Sequence, residues 1–158
     1  MSSIADVLER DGQFVYRTSG VSMEPMLRQD RDLVVVKKAV SRPEKYDVVL
    51  YRRGDAYVLH RVIGERNGCL RIRGDNTFSV ENVPYENVIG VLAGFQRKGK
   101  HYTADSRPYR FYARFWNAVY PFRAFYARIR RFAVNAAKKA GIAPGAKKIS
   151  GRDGRKRK

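Results

Sequence analysis

The sequence has little cysteine and no apolar run long enough to cross a membrane. Its one cysteine, Cys69, cannot form an internal disulfide, so nothing in the chain calls for an oxidising compartment. A membrane-spanning helix needs about 20 consecutive apolar residues, and no stretch approaches that length. The N-terminus carries Asp6, Glu9, Arg10 and Asp11 and lacks the apolar core of a signal peptide. We therefore expect a cytoplasmic protein that neither carries an export signal nor spans a membrane.

Acidic residues are scarce in the last third of the chain. The 33 Lys/Arg and 15 Asp/Glu residues give a net charge of +18 at pH 7. Residues 107–131 contain seven arginines and no acid, and residues 138–158 contain nine Lys/Arg and only Asp153. Positive charge concentrated in this way favours a polyanionic partner, either a lipid surface or a nucleic acid.

Most of the chain is predicted to form one mainly β domain. Its 158 residues and 44% hydrophobic content suit a single packed core. Asn67-Gly68 and Lys98-Gly99 predict tight hairpins, because both pairs tolerate positive φ angles. A short helix is expected at residues 4–10. Strands are predicted where Val, Ile, Leu and Tyr are concentrated, at residues 13–18, 32–37, 47–52, 57–64, 69–73, 88–96 and 101–103. We therefore expect a compact antiparallel β domain over residues 1–106.

The pattern becomes helical after Arg107-Pro108. Apolar residues then recur at steps of three and four, at Phe111, Phe115, Val119, Phe122, Tyr126, Ile129 and Ala133. Residues 107–139 are predicted to form a basic, aromatic, amphipathic helical segment that Pro121 kinks or divides. Residues 140–158 are rich in Gly, Pro, Ser and Lys/Arg and are predicted to be a disordered basic tail.

Three short boxes carry the candidate chemistry. Residues 22–25 read S-M-E-P, residues 60–62 read H-R-V, and residues 74–76 read G-D-N. A serine hydroxyl needs a neighbouring base to act as a nucleophile. Histidine suits that task near neutral pH. Ser22 and His60 are therefore the candidate nucleophile and base.

In this order and spacing, the three boxes closely resemble those of the signal peptidase I and S24/S26 serine-protease superfamily. The resemblance covers roughly residues 13–95 and is to the histidine-type enzymes, archaeal and endoplasmic-reticulum-like, with an H-R-V box. It implies an all-β catalytic core with Ser22 as nucleophile and His60 as general base. It also implies that the Ser22 amide stabilises the oxyanion. Gly20 stands where some bacterial enzymes carry a second, hydroxyl donor, so that donor is unidentified.

Two carboxylates are candidates for the group that orients the histidine. Asp75 belongs to the G-D-N box and is ranked first. Glu81 is the alternative, because it falls where histidine-type enzymes tend to carry an Asp pair downstream of that box. The resemblance at Glu81 is loose, since the sequence there reads S-V-E at residues 79–81.

Other bases are disfavoured. His101 has no motif around it and lies in a predicted surface hairpin. A lysine base must be desolvated to lower its pKa, whereas Lys37 and Lys38 read as a charged strand end.

The sequence therefore predicts a serine endopeptidase resembling signal peptidases, which cleaves a leader or membrane-proximal peptide without a metal or cofactor. The alternative is a non-catalytic, basic nucleic-acid- or membrane-binding protein that retains the protease fold. A self-cleaving repressor is disfavoured, because only 21 residues precede Ser22 and a helix-turn-helix domain needs more.

The aromatic content of the helical segment favours a lipid partner. Ten of the 19 aromatic residues lie between Tyr109 and Phe132, more than one packed face needs. Aromatic rings beside arginines are typical of helices that lie in a membrane interface. We expect residues 109–137 to hold the protein peripherally on an anionic membrane surface, with nucleic acid as the less favoured partner. The sequence gives no prediction of oligomeric state.

Overall fold

The computed structural model describes residues 3–139 and contains three α-helices, one 3-10 helix (Tyr85–Asn87) and eight strands in that range. The described chain divides into two compact units, the first ending at Tyr120 and the second beginning at Pro121. In chain order the elements are α1 (Ile4–Asp11), β1 (Gln13–Arg17), β2 (Leu33–Lys38), β3 (Val48–Arg53), β4 (Ala56–Arg66), β5 (Cys69–Arg73), β6 (Glu81–Pro84), β7 (Val88–Arg97), β8 (Lys100–Thr103), α2 (Arg107–Ala118) and α3 (Tyr120–Lys139).

All eight strands join in one antiparallel sheet, which confirms the predicted fold class. The strand order is β1-β2-β7-β3-β4-β5-β6, and β8 pairs with β7. The predicted hairpins at Asn67-Gly68 and Lys98-Gly99 are present, and all four residues have positive φ. The predicted tail at residues 140–158 lies outside the described residues.

The strand β6 is absent from the sequence prediction. Its four residues, E-N-V-P, show no clear alternation and end in a proline, so no local signal marks a strand. The segment forms a strand because it pairs with β5, where Val83 lies opposite Leu70 and is buried. Glu81, at the start of β6, lies opposite Ile72.

Strand β4 separates two clusters of buried side chains. Leu59 lies in one cluster, with Met23, Leu27 and other residues that include Leu8 of α1. Val62 lies in the other, which includes Val49 and Ile72. Successive side chains of a strand point to opposite faces, so odd and even positions of β4 enter different clusters.

Helix α2 belongs to the first unit. Tyr109 and Ala113 are buried there. The face that packs differs from the predicted apolar stripe, because Phe111 and Phe115 of that stripe are exposed. Helix α2 ends at Ala118 and α3 begins at Tyr120, so the segment is divided next to Pro121 as predicted. Within residues 3–139 no helix combines the length and apolar character needed to cross a membrane.

The guanidinium of Arg61 is fully buried at the centre of the first unit. Its Nε and Nη2 each donate to a carboxylate oxygen of Asp75 at 2.8 Å. It also donates to the Tyr46 carbonyl oxygen at 2.8 Å, the Tyr109 hydroxyl at 3.3 Å and Met26 Sδ at 2.8 Å. Burial alone would lower the pKa of Arg61, but the Asp75 carboxylate outweighs it and holds that pKa above its usual value. One charged side chain thereby joins β4, α2 and the segments that carry the S-M-E-P and G-D-N boxes.

We predict that Arg61→Met lowers the free energy of unfolding by about 3–5 kcal/mol, because it leaves the Asp75 carboxylate buried without its partner. Urea denaturation followed by circular dichroism measures this change. Arg52→Met, on the exposed part of β3, is the matched control and should change stability by no more than about 0.5 kcal/mol. A loss below about 1 kcal/mol for Arg61→Met would contradict the anchoring role.

Candidate active site

Ser22 lies in the loop that joins β1 to β2, and hydrogen bonds close the base of this loop. The Thr18 amide donates to the Asp32 carbonyl oxygen at 3.1 Å, and the Arg28 amide donates to Asp32 Oδ2 at 2.8 Å. The Asp32 carboxylate is fully buried and pairs with Arg97 Nη2 at 2.6 Å. These contacts fix both ends of the serine loop to the sheet.

The S-M-E-P box turns the loop so that its apolar side chains enter the core. Met23, Met26 and Leu27 are buried in the same cluster as Leu59. The Leu27 amide donates to the Met23 carbonyl oxygen at 2.9 Å, which closes one helical turn. Ser22, at the start of this turn, stays partly exposed. Burial of its neighbours therefore positions the hydroxyl without covering it.

The G-D-N box holds the backbone of Ser22. The Asn76 amide donates to the Ser22 carbonyl oxygen at 2.8 Å, and Asn76 Nδ2 donates to the Val21 carbonyl oxygen at 3.2 Å. A Cβ atom on Gly74 would lie 2.6 Å from the Ser22 carbonyl oxygen and 3.0 Å from His60 Nε2. Both atoms border the same point in space, and only a glycine leaves room for this approach.

His60 lies on β4 and is 5% exposed. Its register partner on β3 is Val49, and the next pair on the same face is Tyr51 and Val58. One ring nitrogen, Nε2, faces Gly74 and the Ser22 backbone. The other, Nδ1, lies 3.2 Å from the Tyr51 hydroxyl. The two nitrogens of the imidazole therefore meet different groups.

Glu81 completes the surroundings of Nδ1. Its Oε1 lies 3.5 Å from His60 Nδ1 and 3.1 Å from Arg53 Nη1. Burial and a hydrogen bond with Glu81 both raise the pKa of Tyr51, so that hydroxyl keeps its proton. Tyr51 can accept from Nδ1–H and donate to the Glu81 carboxylate, which gives a continuous chain from the imidazole to the acid.

The carboxylate of Asp75 makes a different set of hydrogen bonds. Both of its oxygens accept from Arg61, and Oδ2 also accepts from the Tyr112 hydroxyl at 3.2 Å. Trp116 Nε1 donates to the Asp75 carbonyl oxygen at 2.9 Å. Two side chains of helix α2 thus hold Asp75 of the G-D-N box by hydrogen bonds. Of the two carboxylates, Glu81 lies 3.5 Å from His60 Nδ1, whereas Asp75 pairs with Arg61.

The environment lowers the pKa of His60 below 6.5. Burial is the largest cause, because it disfavours the charged imidazolium. The charges of Glu81 and Asp75 raise this pKa, and the charge of Arg53 lowers it. The lowered pKa favours the neutral imidazole, the form that a general base requires.

Ser22 and His60 line one open cavity of about 420 Å³. Its walls also carry Glu81, Arg53, Gly20, hydroxyl residues that include Ser19, Thr77 and Ser79, and apolar side chains that include Met23, Leu27 and Leu59. Within residues 3–139, no hydrogen bond joins Ser22 Oγ to His60 Nε2. Catalytic hydrogen bonds of empty sites often form only when substrate binds.

The other candidate bases lie elsewhere. Lys38 Nζ pairs with Glu9 at 2.6 Å, and Lys37 is exposed at the end of β2. His101 is exposed on β8 and lines a separate cavity next to Tyr102 and Tyr109.

Tyr51 is absent from the site residues predicted from the sequence, although a signal was present. Gly54-Asp55 is a two-residue hairpin between β3 and β4, and it pairs Arg53 with Ala56. Counting back from this turn places Tyr51 and His60 on the same face of adjacent strands.

The antiparallel sheet thus brings the loop that carries Ser22 next to the buried imidazole of His60. The family model described as Peptidase S24-like matches residues 2–93, more than half of the chain, and the chain belongs to this family. No curated protein matches the sequence. The family includes members without catalytic activity, so the assignment of a reaction depends on the site itself.

We predict that Gly74→Ala destabilises the protein by about 1–3 kcal/mol, because the added methyl group meets the Ser22 carbonyl oxygen and the His60 ring. Thermal unfolding measures the loss. Gly64→Ala on β4 is the matched control, since no atom lies within 4 Å of its added Cβ. Equal stability of the two variants would contradict the close packing at Gly74.

The pKa of His60 is predicted to depend on the charges of Glu81 and Arg53. Its NMR titration midpoint should lie below 6.5 in the wild-type protein. Glu81→Gln should lower the midpoint further, because it removes a negative charge that stabilises the imidazolium. Arg53→Gln should raise it, because it removes a positive charge. Glu65→Gln, farther along β4, should leave it unchanged. Shifts of the same sign in Glu81→Gln and Arg53→Gln would refute this electrostatic picture.

Proposed function

We propose that the protein is a serine endopeptidase of the histidine type, with Ser22 as nucleophile and His60 as general base. The observation that carries the proposal is the convergence at Gly74, where the Ser22 backbone and His60 Nε2 border one point beside an open cavity. A buried, neutral imidazole in that position can take the serine proton. The H-R-V subtype and the cleavage of a peptide bond are part of this proposal.

In the proposed reaction, His60 Nε2 takes the proton of Ser22 Oγ as that oxygen attacks the scissile carbonyl carbon. The tetrahedral intermediate collapses, the C–N bond breaks, and the leaving amine takes the proton from Nε2. Water then attacks the acyl group on Ser22 and gives its proton to Nε2. That proton returns to Oγ as the acid product leaves.

Tyr51 and Glu81 hold His60 in the tautomer that this reaction needs. Nε2 must be free to accept, so Nδ1 must carry the hydrogen. The Tyr51 hydroxyl, at 3.2 Å, is placed to accept from Nδ1–H, and Glu81 Oε1 lies 3.5 Å from Nδ1. The negative charge of Glu81 also stabilises the imidazolium that forms in the transition state.

The amide of Ser22 is the proposed first donor to the oxyanion. Gly20 has no side-chain hydroxyl to add a second. Ser19 and Ser79 line the same cavity and are the candidates for that role. Thr77 is less suited, because its hydroxyl already donates to the Gly74 carbonyl oxygen at 3.2 Å.

We propose an extended peptide as substrate, from a leader or a membrane-proximal segment. The cavity is open and combines apolar walls at Met23, Leu27 and Leu59 with hydroxyl groups. Such walls suit an apolar side chain next to the scissile bond. A non-catalytic binding protein remains the competing function, and labelling of the serine separates the two.

The test is labelling of the full-length chain with a fluorophosphonate probe, followed by peptide-cleavage kinetics. Wild-type protein should label at Ser22, and Ser22→Ala should not. Ser22→Ala and His60→Ala should each lower turnover at least about 10³-fold, and the double variant should be hardly worse than either single one. Lys37→Met and Lys38→Met are the charge-changing controls and should retain activity.

The same assay tests the third member. Glu81→Gln should reduce turnover with little change in thermal stability, whereas Asp75→Asn should act mainly by weakening the Arg61 ion pair. Near-normal cleavage by His60→Ala, or the absence of Ser22 labelling in folded wild-type protein, would contradict the proposed function.

A further inference from the structure

Helix α3 presents a continuous aromatic stripe to solvent. We define the α3 stripe as Phe122, Phe125, Tyr126, Ile129 and Phe132. These side chains are 51–77% exposed, and none of the residues of α3 is buried. Contiguous exposed apolar surface of this kind marks a docking surface rather than a packed core.

The spacing places the α3 stripe on one side of the helix. Steps of three and four residues return to the same face, because an α-helix has 3.6 residues per turn. Ala133 and Ala136 continue the same side with small residues. The stripe therefore extends along most of the helix instead of forming one isolated patch.

The charges of α3 are all positive. The helix carries four arginines and two lysines, and it contains no Asp or Glu. These cations occupy the flanks and the opposite side of the helix relative to the stripe. An occupant of this surface must accept apolar rings along its centre and supply negative charge at the edges.

We propose that the α3 stripe docks on an anionic membrane surface, with the helix axis parallel to the membrane plane. The rings would enter the boundary between headgroups and acyl chains, and the flanking arginines would meet lipid phosphates. The proposal concerns residues 121–139 and does not depend on catalysis at Ser22.

Two other occupants fit the charges less well. A second copy of the chain would bring another helix without acids against this one, and the like charges would repel. A nucleic acid would need the cations on the same side as stacking rings, whereas here the side with the rings is apolar and includes Ile129. A lipid surface satisfies the rings and the cations together.

The test is sedimentation of the full-length protein with vesicles. One set contains phosphatidylglycerol and phosphatidylcholine, and the other contains phosphatidylcholine alone. We expect binding to the anionic vesicles that weakens as salt rises, and little binding to the neutral ones. The full chain is used because α2 packs within the first unit and a truncation before it would remove core contacts.

Matched variants separate the apolar and the charged contributions. Phe125→Ser/Phe132→Ser should weaken binding to anionic vesicles about tenfold or more, because it removes buried ring surface. Arg130→Gln/Arg131→Gln keeps the rings and should weaken binding less, with a smaller dependence on salt. Val40→Ser is the control, since Val40 is 90% exposed but lies outside α3. Circular dichroism checks that all variants retain their helices.

Each alternative result would overturn the proposal. Unchanged vesicle binding by Phe125→Ser/Phe132→Ser in folded protein would exclude the stripe as the docking surface. A concentration-dependent dimer that this variant dissolves, without vesicle binding, would assign the stripe to a second copy. Binding of single-stranded nucleic acid that depends on Phe125 and Phe132, again without vesicle binding, would assign it to that partner.

Discussion

The buried ion pair between Arg61 and Asp75 is the interaction on which the rest of the site depends. Arg61 is the residue after the candidate base, and Asp75 lies in the box that holds the candidate nucleophile. A fork of two hydrogen bonds at 2.8 Å fixes the distance between these two segments. Met26 and Tyr109 contact the same guanidinium, so the serine loop and α2 share this anchor. Such a pair gives limited stability by itself but tolerates no change of geometry.

The side chains of β4 that anchor the core and the candidate base alternate along the strand. Odd positions of β4 direct Leu59 into the core cluster that includes Met26 and Tyr109, and Arg61 contacts the same two residues. Even positions place His60 beside Tyr51 and Val62, where burial lowers the pKa of the imidazole. Because successive side chains of a strand point to opposite faces, Arg61 can anchor the core while His60 points to the other face.

The family resemblance stops before α2, yet α2 contributes to the site. The family model ends at residue 93, while Tyr112 and Trp116 bond the side chain and backbone of Asp75. Asn117 Oδ1 accepts from Arg73, the residue before Gly74, at 2.8 Å. The helix therefore supports the G-D-N box with polar contacts, while its Phe111 and Phe115 side chains are exposed.

The local sequence predicted most of the fold. Concentrated Val, Ile and Tyr marked seven strands, and Asn67-Gly68 and Lys98-Gly99 marked two turns, because strand and turn preferences are local properties of the backbone. Strand β6 was not predicted, because E-N-V-P forms a strand only through its pairing with β5. The face of α2 that packs was not predicted, for a related reason. Periodicity finds an apolar side, but burial of Tyr109 and Ala113 depends on which surface the sheet offers.

The sequence by itself determined the chemical inventory: a serine and a histidine in recognisable boxes, and a helical segment without acids. Only the tertiary structure decided which groups the Asp75 and Glu81 carboxylates contact. The sequence ranked Asp75 above Glu81 because Asp75 lies in the G-D-N box. In the structure, Asp75 pairs with Arg61, and Glu81 Oε1 lies 3.5 Å from His60 Nδ1. The physical reason is that carboxylate pairing depends on distances across strands that are remote in sequence. Such distances are set by register and packing, which no local pattern encodes.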